Sequence, residues 1–289
     1  MRIGLEVARP TTRRKWTGRA LLLRVFTKDR AIRFGETIVG AVVLVVVLEE
    51  LLGFSLLDAN FWTAFLPALR TGFFGTLGYS AAIIPAAFAI GFLAGWARVS
   101  RFRILSWPVG AFVDLFRGLP PIVLAIFAFL FGPELLPGRG GGLAVGLNFA
   151  AFAIALHSAA YQTEIFRAGF QSVPRGQLEA SQAVGLTPWQ TMRIVLLPQT
   201  FRLSLPALAN EFATVIKDTS LLGALGAIEL FSSGQEFSAQ APLFGTIAWA
   251  FAVWVVISAV YFLLTSVVTR GLLSVENRYR VPGMEVSGL

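Results

Sequence analysis

Charged residues lie inside apolar stretches of this sequence, where they indicate either a path for a polar solute or a bracing role. Lys217 and Asp218 are adjacent in the apolar run 205–231. A charge near the middle of a membrane span is costly unless it is paired, hydrated or facing a cavity. Neighbouring helical residues point about 100° apart, so these two cannot form a good pair on one face. One or both must therefore face an interior partner or an aqueous path.

Two more charged residues and two hydroxyl residues extend this set of candidates. Arg117 and Glu211 also have apolar surroundings, and each is a candidate partner for Lys217 or Asp218. Such residues can brace helices or line a solute path, and the residue types leave both roles open. Hydroxyl groups here can bind a ligand or bond back to their own helix. The candidate substrate pathway comprises Arg117, Glu211, Lys217, Asp218, Thr219 and Ser220.

Several other kinds of chemistry are excluded by composition. The chain has no cysteine and one histidine, His157, so cysteine nucleophiles and multi-histidine metal sites are ruled out. A packed His157 is expected rather than a catalytic one. None of the lysines follows a glycine, so no phosphate-binding P-loop of the G-x-x-x-x-G-K-[ST] type is present. We therefore expect no catalytic residue, no metal and no bound ATP, and any ATP energy must come from another polypeptide.

The composition is that of a membrane protein. The chain has 289 residues, of which 56% are hydrophobic and only 14% charged, and its mean hydropathy is +0.72. Soluble domains carry about 25% charged residues. We predict an all-α polytopic membrane protein with about six transmembrane helices, at residues 34–57, 69–96, 107–131, 143–161, 205–231 and 244–268.

The distribution of positive charge predicts the orientation. Residues 1–33 form a basic tail with ten Lys and Arg, and a short amphipathic helix around 21–26 or a plain solvated tail are both consistent with it. Six spans place 20 of the 24 Lys and Arg on one side, whereas Arg70 and Arg139 fall on the other. Positively charged loops stay cytoplasmic. Both termini, including the tail 276–289, are therefore predicted to be cytoplasmic, and the charge excess needs no nucleic acid to explain it.

One long interior segment, residues 164–198, is polar, and we call it the polar segment. Gly185 suits the end of a short helix, because glycine adopts the left-handed conformation without a side-chain penalty. Thr187, Pro188 and Gln190 then have the spacing of a capping box that starts a second short helix. The pattern predicts a compact pair of capped helices. Alone, it would also fit an ordinary amphipathic cytoplasmic loop.

The spacing within the polar segment resembles the EAA loop of the permease subunits of ABC importers. Glu179-Ala180 precedes Gly185 at the family spacing, and Leu197-Pro198 follows at the fixed distance. Ser181 stands where the family has alanine, and Val195 where it has isoleucine. The resemblance implies contact with an ATPase through a coupling loop, here 164–198. The residues that it assigns to this role are Arg175, Glu179, Ala180, Gly185, Trp189, Leu197 and Pro198.

Three further stretches resemble the polar amino-acid branch of that family. They are F-R-G-L-P at 116–120, A-Y-x-x-E-x-x-R at 160–167 and K-D-T-S-L at 217–221, with Leu119 replacing the usual threonine. The resemblance covers residues 66–275, which would form a five-helix permease core. Residues 34–57 would then be an additional N-terminal transmembrane helix.

The resemblance implies a subunit of an importer that moves polar amino acids across the cytoplasmic (inner) membrane by alternating access. Its implied partners are two ABC ATPase subunits carrying ATP and Mg, a second permease subunit of the same or a related chain, and an extracytoplasmic solute-binding protein. An alternative is a secondary transporter driven by an ion gradient through Asp218 or Glu211. A membrane-embedded enzyme lacks a catalytic set, and a permease for another solute, such as an opine or organic acid, stays open.

Overall fold

The computed structural model describes residues 28–53, 56, 58–100, 102–136, 142–241 and 248–278. Within these residues the secondary structure is helical, and no strand is present, as predicted for an all-α protein. Residues 21–26, for which an amphipathic helix was one alternative, and residues 279–289 of the predicted C-terminal tail lie outside the described residues. The described residues divide into two units, one ending at residue 51 and the other beginning at residue 52.

Ten α-helices are described, together with a 3-10 helix at Pro133–Leu135 and a π-helical turn at Thr191–Leu196. Their bounds are α1 Lys28–Leu52, α2 Ala59–Arg98, α3 Arg103–Gly118, α4 Pro121–Phe131, α5 Leu143–Gln171, α6 Arg175–Ala183, α7 Pro188–Gln190, α8 Leu197–Gly223, α9 Leu230–Gln240 and α10 Ala248–Arg278.

The additional N-terminal helix, α1, differs in its bounds from the prediction of 34–57. It begins at Lys28, inside the stretch expected to be a tail, and ends at Leu52. Gly53 follows with a φ of +68°, a conformation that ends a helix readily because glycine has no Cβ. Valines along its middle, such as Val39, Val42 and Val43, are exposed, and its role as a transmembrane helix stays a prediction.

Two predicted spans are wrong in detail, because each is broken. The predicted span 107–131 consists of α3 and α4, which meet at an angle of 103°. Leu119 and Pro120 are extended at the break, since a residue before proline avoids the helical region. The predicted span 205–231 ends at Gly223, and a separate helix, α9, begins at Leu230.

Three described helices are long and apolar enough to cross a membrane, namely α2, α5 and the stretch Ala248–Val275 of α10. The bent pair α3 and α4 makes a fourth span if it crosses as a broken helix. These helices fit a polytopic membrane protein. The count of six and the orientation of the termini stay predictions.

The second unit is organised around α5. This helix packs against α2, α3, α4 and α8, and its most extensive contact is with α2. Small residues make the close approach possible. A Cβ built on Gly91 of α2 would lie 2.6 Å from the Cβ of Gln162, and one on Gly95 would lie 2.6 Å from the Cβ of Phe166. Further along, Ile83, Ala87, Ile154 and other buried residues form an apolar cluster that extends to α4 and α8.

Replacing Gly95 by valine is therefore expected to destabilise the α2–α5 contact by about 1–3 kcal/mol, the usual cost of overpacking. The measurement is unfolding in detergent, followed by tryptophan fluorescence. Gly78→Ala on the same helix is the matched control, because a Cβ at Gly78 meets nothing within 4 Å. Equal stability of the two variants would contradict this account of the crossing.

Candidate functional site

The polar segment is more helical than its sequence predicted. Helix α5 continues through Glu164 and Arg167 to Gln171, so the first eight residues of the predicted loop are helical. After α6 and α7, a π-helical turn covers Thr191–Leu196 and leads directly into α8 at Leu197. The exposed projection between the two long helices therefore comprises residues 172–196.

The turn between α6 and α7 has the predicted geometry. Gly185 has a φ of +81°, which confirms the left-handed helix end. The Thr187 hydroxyl accepts a hydrogen bond from the Gln190 amide at 3.3 Å, and the Gln190 side chain accepts one from the Thr187 amide at 2.8 Å. This reciprocal pair is the predicted capping box. It fixes the direction in which the chain leaves the turn.

A buried hydroxyl pair holds the two halves of the polar segment together. Ser181 is almost fully buried, and its Oγ lies 3.0 Å from Thr191 Oγ1. The same Ser181 hydroxyl donates to the Leu178 carbonyl at 2.7 Å. An alanine at this position, as in the family pattern, could not make either bond. The departure from the pattern therefore has a structural role, joining α6 to the turn before α8.

The outer surface of the polar segment is exposed and partly apolar. Val184, Trp189 and Ile194 are 75%, 62% and 61% exposed. Large apolar side chains grouped on a polar surface indicate a protein contact. Of the residues assigned to coupling, Leu197 is half-buried and the others are exposed, namely Arg175, Glu179, Ala180, Gly185, Trp189 and Pro198.

An ionic network anchors the base of the polar segment. Glu164 Oε2 accepts a hydrogen bond from Arg167 Nε at 2.8 Å and forms an ion pair with Arg167 Nη2 at 2.6 Å. Arg98, the last residue of α2, places its Nε 3.9 Å from Glu164 Oε1. Arg167 also donates to Gln171 at 2.8 Å. The glutamate and arginine of the A-Y-x-x-E-x-x-R stretch thus tie the ends of α2 and α5 together.

The five predicted pathway residues of α8 have different environments. Glu211 and Asp218 are seven residues apart, so they lie on the same helical face two turns from each other. Both are half-buried, whereas Lys217 is exposed on another face. Thr219 is fully buried and donates to the Ile216 carbonyl at 2.8 Å, the bond back to its own helix. Ser220 is half-buried.

Helix α5 holds the other pathway residues in place. Ser158 donates a hydrogen bond of 2.7 Å to Glu211. The guanidinium carbon of Arg117 lies 4.9 Å from the centre of the Tyr161 ring, a cation–π contact. The expected pairing of Arg117 or Glu211 with Lys217 or Asp218 is not found among the ion pairs of the described residues. Instead, Ser158 and Tyr161 of α5 contact Glu211 and Arg117.

His157 is packed, as expected. It is buried, and its Nδ1 donates to the Phe116 carbonyl at 2.8 Å. Because this carbonyl belongs to the residue before Arg117, the bond fixes the end of α3 at the point where the chain bends. His157 thus holds the end of α3 in place beside Arg117.

An open cavity of about 360 Å³ lies beside the polar segment, and Arg117 is the predicted pathway residue that lines it. Arg117, Tyr161 and Glu164 contribute its polar groups on one side, and Ser172 and Ser204 extend them towards the polar segment. Its volume is sufficient for a small solute. The cavity thus offers a cation, a carboxylate and hydroxyl groups between α5 and α8.

A buried carboxylate, that of Glu229, was not identified by the sequence analysis and has several hydrogen-bond donors. It is fully buried at the start of α9. Its oxygens accept hydrogen bonds from Tyr261 Oη at 2.7 Å, from the Ser232 amide at 2.7 Å and from Thr76 Oγ1 at 3.4 Å. We call these four residues the Glu229 cluster. It links α2, α9 and α10.

Backbone groups complete the Glu229 cluster. The Glu229 amide donates to Ser232 Oγ at 2.9 Å, and the Leu230 amide donates to Thr76 Oγ1 at 3.1 Å. Glu229 and Ser232 thus form a reciprocal capping box. In the sequence, only the capping-box spacing E-x-x-S of Glu229 and Ser232 could have indicated this helix start.

Comparison with known proteins identifies relatives of this chain. The family described as the inner membrane component of binding-protein-dependent transport systems matches residues 87–272. The glutamine transport system permease protein GlnP of Escherichia coli strain K12 is 33% identical over 224 residues, covering 76% of this chain and 98% of that protein. The glutamate transport system permease protein GluD of Corynebacterium glutamicum is 32% identical over 224 residues, covering 74% and 79%.

Solved structures show the same fold. A crystal structure of an amino acid ABC transporter with histidines superposes with a TM-score of 0.65 and 24% identity, covering 78% of this chain and all of that one. An inward-facing structure of the MetNI methionine ABC transporter gives a TM-score of 0.58 and covers 72% of this chain and 96% of that one. The resemblance predicted from the sequence motifs is confirmed.

Proposed function

Since this chain belongs to the family of inner membrane components of binding-protein-dependent transport systems, we propose that it is the permease subunit of an ATP-driven importer of polar amino acids. The observation that carries the proposal is that one helix, α8, joins the polar segment to the charged residues Glu211 and Asp218. The polar segment, with its exposed apolar surface, continues without interruption into α8. Helix α8 carries Glu211 and Asp218 further along.

The subunit acts in the cytoplasmic membrane with both termini and the polar segment on the cytoplasmic side. Six crossings, one of them the bent α3–α4 pair, account for this orientation. Support comes from the apolar length of α2, α5 and α10 and from the excess of Lys and Arg on one side. Helix α1 adds one crossing to a core of five.

The polar segment is the contact for the ATPase. Val184, Trp189 and Ile194 provide an apolar surface that a groove of a partner protein would cover. Two ATPase subunits hold ATP and Mg, and this chain binds neither. A second permease subunit and an extracytoplasmic solute-binding protein complete the importer.

Movement of the polar segment is transmitted through α8 to the pathway. Ser181 and Thr191 couple α6 to the π-helical turn, and the turn is continuous with α8. A helix transmits displacement along its axis because its backbone hydrogen bonds resist stretching. A shift of α8 relative to α5 would change the Ser158–Glu211 contact and the cavity beside Arg117. Access would thereby switch from one side of the membrane to the other.

The substrate is a small zwitterion. Arg117 suits an α-carboxylate, because its planar guanidinium binds carboxylates through paired hydrogen bonds. Glu211 and Asp218, which share one face of α8, suit an α-ammonium group. Tyr161 holds Arg117 at one wall of the cavity. A polar amino acid fits this combination of charges.

Glu211→Gln is expected to reduce amino-acid uptake at least about tenfold, mainly through a higher KM, because the amide cannot attract an ammonium group as a carboxylate does. The measurement is uptake of labelled amino acids by the complete importer at a series of concentrations. Glu236→Gln is the matched control, since Glu236 is an exposed carboxylate on α9. Equal KM values for the two variants would exclude Glu211 from substrate recognition.

A further inference from the structure

An apolar groove of about 370 Å³ lies between α2 and α10, away from the pathway. Helix α2 contributes Leu66, Leu69, Arg70 and Phe73, which share one face because they are three or four residues apart. Helix α10 contributes four apolar residues with the same spacing between Val260 and Val267. The two stripes make an elongated channel on the surface of the helices, with one guanidinium as its only charged group.

Arg70 is the residue that needs an explanation. It is the only Asp, Glu, Lys or Arg between Ala59 and Ala97. It is exposed, and among the described residues no carboxylate lies within ion-pairing distance of it. Helix α10 supplies no counterion, because residues 248–269 contain no charged side chain. A cation on an apolar, membrane-facing surface calls for an anion from its surroundings.

We propose that the α2–α10 groove binds one anionic phospholipid of the bilayer, with its phosphate on Arg70 and an acyl chain along the groove. Charge complementarity selects the headgroup, because a guanidinium binds a phosphate oxygen pair in the same planar geometry as a carboxylate. The seven apolar side chains suit a hydrocarbon chain and offer no hydrogen-bond partner to a polar ligand. The orientation predicted from the charge distribution puts Arg70 in the outer half of the protein, where headgroups are within its reach.

The bound lipid would lie against the joint between two helices. Val260 of the groove precedes Tyr261, whose hydroxyl donates to Glu229, and Phe73 is one turn from Thr76 of the same cluster. Apart from this cluster, α2 and α10 make few contacts. An acyl chain would therefore fill the space between two helices that are joined by the Glu229 cluster and, at the start of each helix, by the contact of Phe61 with Trp249.

The test is native mass spectrometry of the purified importer released from nanodiscs that contain equal amounts of phosphatidylglycerol and phosphatidylcholine. The unaltered protein is expected to retain phosphatidylglycerol selectively. Arg70→Gln should lower that selectivity about fivefold, the effect of one cationic residue at a membrane surface. Arg103→Gln is the matched control, because Arg103 is also exposed but lies on α3, outside the groove.

A second variant tests the groove itself. Leu263→Trp fills the channel and leaves Arg70 intact, so it is expected to reduce retention of both lipids. Equal phosphatidylglycerol selectivity in the Arg70 and Arg103 variants would overturn the headgroup site. Unchanged retention in the Leu263 variant would overturn the acyl-chain site, and absence of retained lipid from the unaltered importer would show that another helix covers the groove.

Discussion

Gly185→Arg is expected to reduce ATP-dependent uptake by more than about tenfold, while the chain still folds and reaches the membrane. Gly185 has a φ of +81°, and a residue with a Cβ costs about 1–2 kcal/mol in this conformation. A Cβ there meets nothing within 4 Å, so the effect is not one of core packing. The change disturbs the turn between α6 and α7 and places a long cation on the surface that the ATPase is proposed to contact.

The measurements are uptake by the complete importer and copurification of the ATPase with the permease. Gly185→Asn is the matched control, since asparagine tolerates the left-handed conformation better than other side chains. We expect this control to keep most of the uptake and the ATPase contact. Full uptake by the arginine variant would show that the turn has no part in coupling.

Glu229→Leu is expected to destabilise the protein by on the order of 3 kcal/mol, the largest effect on stability that we predict for a single substitution. The leucine leaves the Tyr261 hydroxyl and the Ser232 amide without their acceptor inside the protein, and a buried donor without a partner costs about 1–3 kcal/mol. The connection between α2, α9 and α10 is lost at the same time.

Denaturant titration in detergent micelles measures this effect. Glu229→Gln should cost less, because the amide oxygen still accepts one hydrogen bond. Tyr261→Phe should also cost less, since it removes one donor and leaves the carboxylate with Thr76 and Ser232. A leucine variant as stable as the unaltered protein would mean that the Glu229 cluster does not hold these helices together.

Local features of the polar segment followed from the sequence. Gly185, Thr187 and Gln190 act through neighbours within three residues, so the turn and its capping box could be predicted from spacing alone. The role of Ser181 could not, although its partner Thr191 is only ten residues away. The family pattern marked this serine as a departure, and only the packing of α6 shows what it contributes.

Features that depend on distant residues escaped prediction. Glu229 binds Thr76, 153 residues earlier, and Tyr261, 32 residues later, and nothing in one sequence connects these positions. The same holds for Glu211, whose partner Ser158 is 53 residues away. Pairing with the nearby charges Lys217 and Asp218 was the simpler expectation. The surroundings of a charge in a helix bundle are set by the helices that pack beside it.

The sequence contains residues that mark the breaks in the two broken spans, but the prediction followed hydropathy and passed over them. Pro120 and Pro121 follow Leu119 in an otherwise apolar run, and the residue before a proline avoids the helical conformation. The apolar run is therefore long enough for one span, but Pro120 and Pro121 divide it into two helices. Gly223 and Gly226 mark the end of α8 in a similar way, with Gly226 at a φ of +96°.

The most direct test of the proposed function is uptake of labelled polar amino acids by the purified chain in proteoliposomes, with and without its ATPase and solute-binding protein. The account predicts uptake only when both partners and ATP are present, and no effect of an ionophore that collapses the ion gradient. Uptake by the chain alone that disappears with the ionophore would contradict it. Asp218 and Glu211 would then be the coupling residues of a secondary transporter.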